Sequence, residues 1–492
     1  MSIGHEDRLI VAANRLPVVV RQREDGGVEV EPASGGLVAA MQPVLTRHSG
    51  AWIGWPGIVD VSGEVLEEAL GRFDGEHEIV PVELSAEERD AFYQGFSNEI
   101  IWPLFHDLQT NCNFDPAYWE AYVQVNRRYA SAIARLAKPG DVIWVHDYHL
   151  ILVGAELRRL GVDNRVGFFF HIPFPGVDIF RKLPWREPVV DALLAYDLVG
   201  LQTAGDRQNF VRSMQSVRPL ELASRDEEAH VASYRVRGTL RTTRVGDFPI
   251  GVDFAAEERD AESPEALAAM EMFARDMPKR RLVLGVDRLD YTKGILERLL
   301  AFREALRRHP ELRGTTTLVQ VVVPSREDIP SYHALRESIE RLVGEIVGEL
   351  SRPGWVPVLY MHKAISRGEL RGFYRAAQVA LVTPLKDGMN LVAKEYCASR
   401  VDEQGVLVLS EFAGAGAQLG EGALLVNPND RIACADTIAR ACNMAPEEQR
   451  RRMRAMREVV RRDDVYAWAD AFLGQLQRVP ERRATRRAAV GA

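Results

Sequence analysis

Short uninterrupted apolar runs, each handing over to an amphipathic stretch, recur along most of the chain, and this alternation constrains the fold more than any other feature. In the first half the runs are "RLIVAANRLP", "AWIGW", "HEIVPVEL", "DVIWVHD", "RVGFFFHIP" and "DLVGLQT". In the second half they are "RLVLGVD", "TTLVQVVVP", "WVPVLYM", "VALVTPL", "GVLVLSEF" and "ALLVNP". A strand with one face in water alternates apolar and polar residues, whereas a continuous run is covered on both faces, as in a parallel sheet sandwiched by helices. Two stretches break the pattern. "VVVRQ" and "GVEVEP", around the polar "REDGG", read as an inserted hairpin. The Val-, Thr-, Arg- and Gly-rich stretch from about 225 to 255 reads as short antiparallel strands followed by a connection. Alternation resumes after the helical "SPEALAAMEMFARDM". The expected fold is therefore α/β, with two Rossmann-like domains and a ligand cleft between them. The expected bounds are 1–250 and 251–461, then a terminal helix at 462–480 packing back on the first domain, and a basic disordered tail at 481–492.

A chain of 492 residues is too long for one core. Its formal charge, 62 − 70 = −8, gives no general attraction to nucleic acid or to an anionic membrane, so any anion must be held by a local cluster. Cys112, Cys397, Cys434 and Cys442 form no C-x-x-C or Cys/His ligand spacing and read as buried free thiols in a reducing compartment. The charged N-terminal stretch is unlike a signal peptide and no apolar run reaches the length of a membrane span, so a cytoplasmic location is expected. His146 and His149 lack the intervening Glu of a zincin helix, and no metal or other cofactor is expected. A homo-oligomer is left open.

Ligands of open parallel sheets sit at the carboxyl ends of strands, so the polar residues just after each apolar run are the ones to inspect. In "VDRLDYTKG", Arg288 and Lys293 stand beside Asp287 and Asp290; a forked and a point cation together suit a diphosphate. In "VALVTPLKDGMNLVAKEY" the strand ends at Pro384, Asp387 is placed to accept from a polyol, and a helix starting near Asn390 offers amides to a phosphate. Glu395, a turn into that helix, suits a ribose diol. The first half contributes Arg15 after the first strand, Gly35-Gly36 before a helix, His146 and His149 in "WVHDYHL", and His171 after "FFF". Each turn alone reads equally well as solvated loop charge or a capped helix; their recurrence at strand ends favours a ligand site.

Taken together, "NRLP", "SGGL", "GWPG", "FYQGFSNEIIWPLFH", "HDYHL", "FFFHIPFP", "VDRLDYTKG", "PSRED" and "LVTPLKDGMNLVAKEY" resemble the trehalose-6-phosphate synthase family, collinearly from about Arg8 to about Leu476. The resemblance implies a retaining glucosyltransferase of GT-B fold that joins glucose from a nucleotide-diphosphate glucose to glucose 6-phosphate. It implies an acceptor site of Arg15, Trp55, Tyr93, Trp102 and Arg326, with Asp147 touching the sugars near the reacting bond. It implies that Arg288 and Lys293 clamp the diphosphate, that Gly36, Leu391 and Val392 approach the phosphates, and that His171, Asp387, Gly388, Met389 and Asn390 bind the donor glucose. Glu395 would take the ribose and Arg367 would lie beside the base and diphosphate; Arg288, Lys293, Asp147 and His171 are the expected catalytic set. UDP-glucose is the first expectation for the donor, with GDP- and ADP-glucose open. Another phosphorylated acceptor (glycerol 3-phosphate or a cyclitol phosphate) and a non-catalytic sugar-phosphate sensor remain the alternatives.

Overall fold

Continuous apolar runs form the central strands because both faces of each strand are covered. The computed structural model describes residues 8–22, 28–33, 36–48, 50–59, 61, 63–71, 77–227, 230–236, 242–326 and 329–479. The described residues divide into two units, one running to Phe248 and taking up the chain again from Trp468, the other spanning Pro249–Ala467.

The sheet of unit one has, among the described residues, nine strands in the order Glu78–Pro81, Gly50–Trp55, Leu9–Arg15, Val142–His146, Arg165–Phe169, Leu198–Leu201, Thr242–Asp247, Val231–Val236 and Leu220–Asp226. The first seven run parallel and the last two pair antiparallel, so the polar stretch near 225–255 extends the main sheet as a ribbon starting at Leu220. Val18–Gln22 and Val28–Pro32 pair as a separate antiparallel hairpin. The strand order reverses between Leu9–Arg15 and Val142–His146, which makes their carboxyl ends a topological switch point. The terminal helix Val465–Gln477 lays Phe472 flat on Trp144, with centroids 4.6 Å apart and an interplanar angle of 8°.

Unit two has, among the described residues, six parallel strands in the order Val358–His362, Thr316–Val323, Arg281–Arg288, Val379–Val382, Val406–Ser410 and Leu424–Val426. Its switch point lies between Arg281–Arg288 and Val379–Val382. No helix among the described residues is long and apolar enough to cross a membrane.

One element has no counterpart in the sequence reading. Arg89–Ile101 is a wide helix whose bonds reach five residues back, ending with the Trp102 N–H on the Ser97 carbonyl. Helices of this width are rare and concentrate at functional sites. It carries Tyr93 and leads directly into Trp102.

Candidate active site

At the switch point of unit one the side chains are held by rings. The Arg15 guanidinium lies 4.6 Å over the Trp55 ring. Gly57, at φ +89°, makes room for it, since a Cβ there would meet the guanidinium. Trp55 packs on Tyr93 at 5.8 Å, and Tyr93 stacks on His149 at 5.8 Å. His149 touches Tyr148 at 3.9 Å, which in turn packs on Trp102 at 5.8 Å. Arg15, Trp55, Tyr93 and Trp102 thus belong to one continuous aromatic wall, closed by Tyr148 and His149. The Tyr148 hydroxyl donates to Asn98 Oδ1 at 2.9 Å, tying the wall to the wide helix.

The next strand ends hold Asp147 and His171. Asp147 sits at φ 70°, ψ 168°, a region that L side chains rarely occupy. Its N–H donates to the Phe169 carbonyl at 2.8 Å, and its Oδ1 accepts from the His171 N–H at 3.1 Å. His146 Nδ1 lies 3.0 Å from His171 Nε2. His171 keeps some exposed surface, yet burial of its ring pushes its pKa down to about 3, so it is neutral at physiological pH. Gly36 is the exposed first residue of the helix Gly36–Arg47, while Gly35 lies outside the described residues.

At the switch point of unit two the side chains are held by charge. Lys293 Nζ lies 2.5 Å from Asp387 Oδ2, which also accepts from Asn390 Nδ2 at 3.1 Å. Asp290 is buried, which would raise its pKa, but Arg326, Lys293 and Arg288 together hold it below the usual carboxylate range. Arg326 donates to the Tyr332 hydroxyl at 2.6 Å and lies 3.7 Å from Asp290. It therefore lies beside the Arg288–Lys293 turn of unit two. Arg288 is exposed at the carboxyl end of its strand.

The helix Leu391–Ser399 follows, capped by Asn390, whose side chain accepts from the Ala393 N–H at 3.3 Å. The Leu391 and Val392 amides precede the first intrahelical bond and point donors out of the helix start. Glu395 Oε2 accepts from the Tyr374 hydroxyl at 2.8 Å. Arg367 opens the helix Arg367–Ala376 and lies 3.3 Å from Glu257, which also pairs with Arg371. Burial first, then Glu395, pushes the Glu257 pKa up to about 6 despite those arginines. Gly388 and Met389 complete the loop.

Sequence reasoning missed what supports this half of the site. Arg298, fully buried, pairs with Asp287, donates to Thr383 Oγ1 at 3.0 Å and to Gln320 Oε1 at 3.2 Å, and reaches the Lys293 carbonyl at 3.3 Å. The segment 412–415 pins the Asp387 loop through three backbone bonds: Asp387 N–H to Phe412 O, Gly414 N–H to Asp387 O and Ala415 N–H to Met389 O. Gly414 is required there, because a Cβ would meet the Gly388 carbonyl at 1.9 Å. The signal for Arg298 was in the sequence as a charged residue on the apolar face of "ILERLLAF", and Gln320 likewise interrupts the strand "TTLVQVVV". Among the described residues no group of three or more His, Cys, Asp or Glu is arranged to hold a metal.

The chain is similar to proteins of known activity along nearly its whole length. The sequence pattern of glycosyltransferase family 20 matches residues 7–478. The trehalose-6-phosphate synthase of Mycobacterium avium (strain 104) is 46% identical over 483 residues, covering 96% of each chain. An α,α-trehalose-phosphate synthase (UDP-forming) from Burkholderia xenovorans, solved in complex with glucose-6-phosphate, superposes with a TM-score of 0.87 at 36% identity, over 96% of this chain and 100% of that one. An E. coli structure bound with UDP-2-fluoro glucose gives a TM-score of 0.86 at 33% identity, over 97% and 100%.

Proposed function

The chain belongs to glycosyltransferase family 20, and on that premise we infer that it is a retaining glucosyltransferase moving glucose from UDP-glucose to glucose 6-phosphate, giving α,α-trehalose 6-phosphate and UDP. The observation that carries the reading is the arrangement at the unit-two switch point. There Lys293, Asp387 and Asn390 are joined by direct contacts beside the exposed Arg288, at the start of a helix with outward-facing amides.

Unit two is the donor side of the proposal. Arg288 and Lys293 take the diphosphate, helped by the Leu391 and Val392 amides; Asp387, Gly388, Met389 and Asn390 take the glucose hydroxyls. Glu395 takes the ribose, Arg367 lies by the base and diphosphate, and Gly36 of unit one approaches the phosphates. Unit one is the acceptor side: Arg15, with Arg326 of unit two, neutralises the acceptor phosphate, and Trp55, Tyr93 and Trp102 line the hexose. Asp147 and His171 meet the sugars near the bond that changes. The two units with this division of labour are domains in the functional sense.

A retaining glycosidase places a carboxylate nucleophile against the anomeric carbon. Asp387 is engaged with Lys293 and Asn390, Glu395 with Tyr374, and Asp147 with the His171 amide, so each has another role. The transfer then proceeds on one face of the sugar: the glucosyl–oxygen bond to the phosphate breaks, the acceptor hydroxyl adds from the same side, and the departing phosphate oxygen takes its proton. Arg288 and Lys293 act on charge that grows as that bond breaks, which lowers the barrier more than it tightens binding. The four free cysteines support a reducing, cytoplasmic setting for the reaction.

The test is a product assay offering UDP-, GDP- and ADP-glucose separately with glucose 6-phosphate. Trehalose 6-phosphate with release of UDP is expected from UDP-glucose. Formation of no disaccharide phosphate from any donor would overturn the reading.

A further inference from the structure

The contact between His146 and His171 is a feature that the reading above leaves without a role. His146 is fully buried, its ring 4.6 Å from Trp144 and 6.4 Å from Trp468. Burial and then the neighbouring His171 hold it neutral, as burial holds His171. Two neutral imidazoles share one proton along such a contact, so one ring donates and the other accepts. The second nitrogen of His146, Nε2, is buried and has no hydrogen-bond partner among the described residues. With a proton on it, an N–H would be buried unsatisfied; without one, only a lone pair is, and unpaired buried N–H groups are the rarer and costlier of the two. The proton of His146 therefore belongs on Nδ1. His171 Nε2 then accepts, and the proton of His171 sits on its own Nδ1, the nitrogen left for a ligand on a ring that retains exposed surface. The ring is steadied from its backbone side by the bond from the His171 N–H to Asp147 Oδ1 at 3.1 Å and from its face by Phe169 at 4.9 Å.

We propose that His146 is a positioning residue for glucosyl transfer: it donates Nδ1–H to His171 Nε2 and so locks His171 as the Nδ1–H form, which meets the donor glucose as a hydrogen-bond donor. The proposal rests on the reading of His171 as a contact of the donor sugar. Without His146, the His171 ring divides between two proton placements, and only one of them presents an N–H to a sugar oxygen that gains charge during transfer.

Ring-15N-labelled histidine in the full chain tests the proton placement directly, because protonated and bare ring nitrogens resonate far apart. The His171 signals are assigned by their loss in His171→Ala. A protonated Nδ1 and a bare Nε2 are expected; the opposite assignment overturns the proposal without requiring any further variant to fold. Kinetically, His146→Leu is expected to lower kcat about tenfold, the worth of one hydrogen bond, with KM for glucose 6-phosphate unchanged. His146→Asn, whose amide offers a donor where Nδ1 stood, is expected to recover to within about threefold of the unmodified enzyme. A His146→Leu enzyme at full rate, or a His146→Asn enzyme no better than His146→Leu, overturns the proposal. His171→Ala is the control on the underlying reading: full activity there removes His171 from the donor contact, a failure distinct from that of the tautomer lock.

Discussion

Both switch points display candidate site residues at the carboxyl ends of parallel strands, but they hold them by different physics. In unit one Arg15 is held over Trp55, and Trp55, Tyr93, His149, Tyr148 and Trp102 are rings in contact one after another. In unit two four cations are each fixed by a carboxylate of the same unit: Lys293 by Asp387, Arg326 by Asp290, Arg298 by Asp287 and Arg371 by Glu257. The difference matches what each side is proposed to bind. A hexose presents apolar ring faces and hydroxyls, which stack and hydrogen-bond without charge. A diphosphate presents fixed negative charge, which is met best by cations already oriented, so that no reorganisation is left for the moment of reaction.

The strongest test of this contrast is Arg298→Leu. Removing one partner of a buried pair leaves Asp287 without its counter-charge, and a loss of about 3–5 kcal/mol is expected in chemical denaturation. A loss below about 1 kcal/mol would mean that unit two is not held together by charge at its switch point. Next is Arg288→Ala, expected to lower kcat on the order of a hundredfold or more, as when an oxyanion donor is removed. A rise in donor KM with unchanged kcat would make the cation adhesive only. Arg15→Ala should raise KM for glucose 6-phosphate by about ten- to a hundredfold, the worth of a charge-assisted hydrogen bond, and leave KM for UDP-glucose where it was. Equal effects on both substrates would erase the division between the units. The smallest effect concerns Lys394, buried on the helix Leu391–Ser399 with its Nζ donating to the Ile250 carbonyl at 2.6 Å. Burial pushes its pKa down from 10.5 to about 7. Between those values the unfolded chain binds the proton and the folded chain does not, so stability should rise with pH across that window. Lys394→Met should flatten the rise, by on the order of 1 kcal/mol in denaturation curves measured at pH 7 and pH 9.

The alternation of apolar runs made the two sheets legible, and the residues after those runs led to Arg288, Lys293, Asp387 and His171. The wide helix Arg89–Ile101 was not legible, because its bonding follows from packing: Gly95 lies against Tyr118, and Phe96 packs between Trp119 and Tyr122, contacts that local sequence does not announce. The Arg298 network was hidden for another reason. Its partners Asp287, Gln320 and Thr383 lie 11, 22 and 85 residues away, so nothing joins them to Arg298 until the sheet assembles. The neighbours of Arg326, Asp290 and Tyr332, were hidden in the same way: a motif gives a residue's identity, and the fold decides which neighbours share it.

Asp147, Arg326 and Asn390 all have backbones at positive φ, at 70°, 52° and 74°. For residues with side chains, such conformations store about 1–3 kcal/mol each. Glycine would release that strain at all three positions while deleting the very groups proposed to meet the substrates. Selection for heat tolerance and selection for turnover would therefore pull these codons in opposite directions. A population evolved under heat alone should drift toward glycine here, recording in its sequences how much tension the working enzyme keeps.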